Sequence, residues 1–117
     1  MILEVKSELN EFSTFQALLL HKIEFVQCKA DEINSFNWAI KRFEKYLNGL
    51  GMEAIITNIT PTVCLAWLDF EIRRKSNLSE IIFMNILMMS LFECVTKITL
   101  MKENPFHSSY LEIEKYL

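Results

Sequence analysis

"IIFMNILMMSLFECVTKITLM", residues 81–101, is the stretch on which the fold of this chain turns. Glu93 and Lys97 are its only charges, and they stand four apart, where they can pair on one helix face. About 20 apolar residues suffice to span a bilayer. A charge within such a span, however, costs roughly 2.5–3.5 kcal/mol on insertion scales. The segment therefore reads as a helix buried in the middle of a helical bundle, and no membrane partner is expected. Apolar residues on nearly every side imply contact with more than one neighbouring helix.

Working outward, composition agrees with an all-α chain. The protein has 117 residues, 51% of them hydrophobic, with only two Gly and two Pro. Such a chain is long enough for one domain to bury its own core, and too poor in turn residues for a β-sandwich. Cys28, Cys64 and Cys94 are odd in number and form no Cys-x-x-Cys pair, which points to a reducing cytoplasm and three buried thiols. A formal net charge of −3 gives no global attraction to nucleic acid, so phosphate binding would need a local basic patch.

Three further helices precede the apolar one. Phe15, Leu18, Leu19, Ile23 and Val26 recur at helical steps and predict a helix over 14–29, capped by Ser13 or Thr14. Asp31 or Asn34 can cap a second helix over 33–48, whose apolar stripe is Phe36, Ile40, Phe43 and Leu47 and whose end is Gly49 or Gly51. "MEAIITNIT" is β-branched and reads as an extended connector. Thr60 and Pro61 open a third helix over 61–75, because Pro lacks only an N–H that the first turn leaves unbonded anyway. Arg73, Arg74 and Lys75 suit the negative end of its dipole. Ser76, Asn77 or Ser79 caps the fourth helix, over 78–101, and Pro105 prevents its extension by forcing Asn104 out of the α region.

Catalytic patterns are scarce, and no cofactor or metal requirement is expected. His21 and Glu24 have a spacing that can place two metal ligands on one face, but no second pair accompanies them, so they read as a polar edge. His107 beside Ser108 and Ser109 lacks a carboxylate to orient it, and no Gly-rich phosphate cradle or zinc pattern is present. Lys41, Arg42 and Lys45 carry more content. They lie opposite the Phe36–Ile40–Phe43 stripe, with Trp38 on the same outer side. Cations beside an exposed Trp suit phosphate and sugar, although a solvated face explains the same pattern.

The order of the pieces has a likeness. "FSTFQALLLHKIEF", "NSFNWAIKRFEKYLNGLG", "ITNITPTVCLAWLDFEIRRKSNLSE" and "LMKENPF" together resemble the SAM-like core-binding domain of phage-type integrases, the tyrosine recombinases, particularly those of Bacteroides-type mobile elements. The resemblance covers roughly residues 12–106. It implies a compact four-helix SAM-like orthogonal bundle over 1–106, and a linker over 107–117 leading toward a catalytic domain that these residues do not include. It also implies a clamp on duplex DNA in which the second and fourth helices face the double helix. Carried onto this chain, the contacts are Lys41, Arg42 and Lys45 from the second helix, with Asn77 and Ser79 at the start of the fourth. None of the family's catalytic residues can be matched, so the chain by itself is expected to be no enzyme. Phe83 and Met84 stand where relatives carry polar residues and a Tyr.

Two functions therefore compete. One is a DNA-binding module of a site-specific recombinase, making mainly phosphate contacts. The other is a helical protein–protein module that self-associates through its apolar fourth helix, at positions such as Ile81, Met84, Met88 and Leu91.

Overall fold

Five α-helices, and no strand among the described residues, build the chain: α1 (Phe15–Phe25), α2 (Ala30–Gly49), α3 (Pro61–Arg73), α4 (Leu78–Lys97) and α5 (Pro105–Glu114), with a 3₁₀ turn at Ile56–Asn58. The computed structural model describes residues 9–98 and 100–116.

Local chemistry sets each boundary. Thr14 caps α1 by accepting the Ala17 N–H at 3.2 Å. The helix stops at Phe25 rather than running to 29, because Val26 is already extended. That shift lets α2 begin three residues earlier than its spacing predicts. Lys29 is the N-cap residue, the Glu32 carboxylate accepts its N–H, and Asp31 and Glu32 place negative charge at the positive end of the dipole. At the other end Gly51 takes φ 70°, and the Met52 N–H reaches the Leu47 carbonyl while the Gly51 N–H reaches that of Asn48, closing a Schellman motif. Thr60 caps α3 through the Val63 N–H, with Pro61 in the first turn as the sequence predicts. Asn77 caps α4, its Oδ1 accepting from the N–H groups of Ser79 and Glu80.

The connector between α2 and α3 is more structured than an extended strand. Ile56 and Thr57 donate to the carbonyls of Ser13 and Glu11, and an isolated antiparallel bridge joins Thr14 to Ile55. Ile56 and Ile59 are thereby carried into the core.

Every helix contributes one aromatic ring to the centre: Phe15, Phe43, Trp67, Phe92 and Phe106 are all fully buried. Phe43 is the hub, with centroids 5.9 Å from Phe15, 5.7 Å from Trp67 and 5.2 Å from Phe106. Such tilted and edge-on pairs add to simple area burial. The Trp67 indole N–H is buried without a hydrogen-bond partner, an unfavourable donor that this packing carries.

α4 is the central helix, packed against α1, α2, α3 and α5. By length and composition it alone among the described helices could cross a membrane. Part of its apolar character is spent on neighbours: Ile81, Met84, Leu87, Met88, Leu91, Phe92 and Val95 are buried inside the bundle. The four residues that sequence reasoning offers for self-association, Ile81, Met84, Met88 and Leu91, are thus in the core and unavailable to a partner; the exposed apolar residues of α4 are Phe83 and Ile86.

The segment after residue 104 also departs from expectation. Residues 107–114 continue α5, which packs most closely on α3 and α4, rather than forming a linker. α4 stops at Lys97, short of the expected 101 and well before Pro105, which is instead the first residue of a new helix. Asn104 caps that helix through the Phe106 N–H and also donates to the Met89 carbonyl at 2.7 Å, pinning the turn to α4. Deeper in, Asn85 donates to the Phe106 carbonyl and accepts from the Ser109 hydroxyl, a buried polar link between α4 and α5.

Candidate functional site

The outer stripe of α2 carries Trp38, Lys41, Arg42 and Lys45, at i, i+3, i+4 and i+7, so these side chains share one face. What they meet differs sharply. Lys41 and Lys45 are exposed and make no ion pair among the described residues. Arg42 turns inward. Its guanidinium pairs with Glu71 of α3, which is 1% exposed, and with Glu80 of α4 at 3.1 Å. On its other side it lies 5.6 Å from the Trp38 ring centroid. Burial lowers the pKa of Arg42, and the bonds and charges of Glu71 and Glu80 more than offset this, so the group is held more firmly protonated than usual. Arg42 is therefore a clasp between α2, α3 and α4, with one terminal nitrogen on each carboxylate.

Glu71 is the residue that sequence reasoning missed. It continues the buried stripe Cys64, Trp67, Leu68 at helical spacing, and a carboxylate at such a position requires a cation. Arg42 supplies one, and Arg74 supplies a second at 3.6 Å. The basic triplet thus divides. Arg74 joins this network, Arg73 pairs with Asp69 at 2.8 Å on the surface, and Lys75 takes φ 56°, an uncommon conformation for a residue other than Gly. The Ser76 N–H reaches the Glu71 carbonyl and the Lys75 N–H that of Ile72, so this left-handed residue closes α3 as Gly51 closes α2.

The Arg42–Glu80 pair brings the middle of α2 against the first turn of α4, where Asn77 and Ser79 lie. Asn77 uses its side-chain oxygen for capping, and the Ser79 N–H is one of the groups it satisfies. Phe83, one turn on, stacks against Trp38 with centroids 5.9 Å apart and planes at 26°. Toward the other end of the stripe, Lys45, Tyr46, Phe70 and Arg74 enclose a cleft between the last turns of α2 and α3. Burial raises the Tyr46 phenol pKa, so that it stays protonated beside the cations.

The remaining sequence candidates do not converge. His21 lies in a groove between α1 and α4, and no three His, Cys, Asp or Glu among the described residues could share a metal ion. His107 sits on an open rim with Glu103 and Lys102. Of the three thiols, only Cys64 is fully buried; Cys28 and Cys94 are partly exposed, which corrects the expectation of three buried groups.

Set against known proteins, the chain matches no family model, and no curated protein or solved structure is significantly similar to it.

Proposed function

We propose that the chain is a non-catalytic DNA-binding module of the tyrosine-recombinase core-binding type, holding duplex DNA mainly through phosphates. Its first four helices form the SAM-like bundle in this reading, and α5 seals that bundle. The observation that carries the reading is that Lys41 and Lys45 are exposed, make no ion pair among the described residues, and share the outer stripe of α2 with Arg42, whose contact to Glu80 reaches the first turn of α4. Cations held off from internal carboxylates are the ones able to neutralise phosphate. The order of the integrase-like motifs supplies the family, and phosphate contacts of this kind fix orientation without reading sequence.

Lys41 and Lys45 make the phosphate contacts. Asn77 and Ser79 present polar side chains from the start of α4. Arg42 fixes the spacing between α2 and α4 through its contact with Glu80. Equilibrium binding of a duplex across a salt series tests this. Lys41→Glu combined with Lys45→Glu is expected to remove salt-sensitive binding while thermal unfolding stays cooperative. Duplex affinity that is unchanged by the double variant would refute the assignment.

One observation favours the second reading, a protein-interaction module: Trp38, Phe83 and Ile86 form an exposed apolar patch across α2 and α4. If that patch is the functional surface, sedimentation will show concentration-dependent association that Phe83→Asp abolishes, with no salt-sensitive DNA binding by the parent chain.

A further inference from the structure

The cleft between the ends of α2 and α3 has a volume of about 230 Å³ and is lined chiefly by Arg42, Lys45, Tyr46, Phe70, Glu71 and Arg74. Three cations there face a single carboxylate. Glu71 engages Arg42 and Arg74, which leaves Lys45 at the rim without an ion pair among the described residues. Phe70 is 41% exposed although it is a large apolar ring. One side of it meets Tyr46, at a centroid distance of 5.1 Å, and the Arg74 guanidinium lies 5.3 Å from its centre.

Size and charge together restrict the ligand. Sites that enclose drug-sized molecules run to roughly 300–1,000 Å³, so this cleft suits one planar ring with its charged group at the mouth. A bare anion would gain little, because the C-terminal ends of two helices and the Glu71 carboxylate all place negative charge nearby. A ring carrying an anion is better matched: its face covers Phe70 and Tyr46, and its charge meets Lys45 and the outer edge of Arg74. We propose that this cleft binds an unpaired nucleotide, the base against Phe70 and Tyr46 and the 5′-phosphate on Lys45. A base within an intact duplex has its faces covered by its neighbours, whereas an unpaired one presents a π-face that aromatic side chains bind with little regard to sequence. The inference deepens the nucleic-acid reading above and rests on it for the class of ligand.

Gly49 lines the cleft and is one of only two glycines, so its amide is a well-separated reporter in a two-dimensional NMR spectrum of the full chain. The probes are thymidine 5′-monophosphate, an oligodeoxythymidylate and inorganic phosphate. Both nucleotide probes are expected to shift the Gly49 signal saturably, and phosphate alone to leave it in place. Phe70→Leu, which keeps an apolar side chain at a half-exposed position, is expected to weaken nucleotide binding by about tenfold or more while duplex binding is retained. Tighter binding of the oligomer than of the monophosphate assigns the site to a nucleic-acid strand; the reverse assigns it to a free nucleotide. The proposal is overturned if neither nucleotide moves Gly49, if phosphate alone reproduces the shift, or if Phe70→Leu binds as the parent does. Salt-sensitive duplex binding with an unmoved Gly49 would remove this site and leave the duplex reading standing. Nucleotide binding without salt-sensitive duplex binding would do the opposite.

Discussion

Arg42 and Phe43 are neighbours in sequence and do opposite work. Arg42 keeps a buried carboxylate company, and truncating it leaves Glu71, 1% exposed, with Arg74 alone at 3.6 Å. Breaking a buried pair from one side costs about 3–5 kcal/mol, and the remaining Arg74 puts Arg42→Ala near the lower end, measurable as a fall in the urea midpoint. Arg42→Glu would be worse, since it sets a second carboxylate against the first, and for that reason Arg42 is unsuitable for a charge-reversal test of DNA binding. Phe43 touches rings from α1, α3 and α5 and has no exposed surface, so Phe43→Ala should cost about 3–5 kcal/mol. Trp38→Ala should cost far less, because that ring is 36% exposed and packs chiefly on Phe83. Equal losses at the two sites would contradict the orientation of α2. Cys64 gives a pH signature. Burial raises its thiol pKa well above the ordinary value, so the folded chain keeps a proton that the unfolded chain loses first. Stability from this group is complete below the unfolded thiol's pKa of about 8.5 and declines as pH rises beyond it. Melting temperatures should therefore fall in alkaline buffer, less steeply in Cys64→Ala, and in native protein a thiol reagent should modify Cys28 and Cys94 before Cys64.

At the scale of elements, α5 is the part that most needs testing, because it converts an expected linker into a wall of the core. Ile113 is 1% exposed, and Ile113→Ala should cost about 2–5 kcal/mol. Ser109→Ala leaves the Asn85 oxygen without its hydroxyl partner and should cost about 1–3 kcal/mol. Chemical denaturation of both variants measures the two losses; wild-type midpoints would mean that α5 is not docked. The four earlier helices were legible because their signals are local: Thr60 and Pro61, the two-glycine end of α2, and the Phe36–Leu47 stripe all act within a turn or two. α5 was not legible, since Pro105 signals both the end of one helix and the first turn of the next, and its buried face mixes Phe106 and Ile113 with Ser109. Early termination of α1 was hidden for a related reason, as Ile23 and Val26 continue the helical spacing although Val26 is extended. The exposed half of the site was visible in the charge pattern of α2. Its buried half was not, because the pairing of Arg42 with Glu71 is a tertiary fact that no spacing within one helix announces.

For the whole molecule, the question is how a chain of net charge −3 could hold DNA. Net charge governs attraction at distances beyond the Debye length, about 8 Å at physiological ionic strength, while contact affinity depends on which charges touch phosphate. Part of the acidity here is internally matched: Glu71 and Glu80 are held by Arg42, Asp69 by Arg73, and Glu112 by Lys115. Lys41 and Lys45 are not matched in this way, so the basic edge can act locally against an unfavourable global field. The expected signature is a modest affinity with a steep local dependence on salt. Each phosphate neutralised steepens log affinity against log salt by about 0.9, so replacing both lysines by Gln should flatten the slope by about 1.8 with little change in stability. Gln is the sharper choice for this measurement, since it removes a counterion-releasing contact without adding repulsion. A parent slope that the double Gln variant leaves unaltered would place the phosphate contacts elsewhere on the surface, with Arg73, Lys75 and Lys97 the next exposed cations to examine by the same substitution.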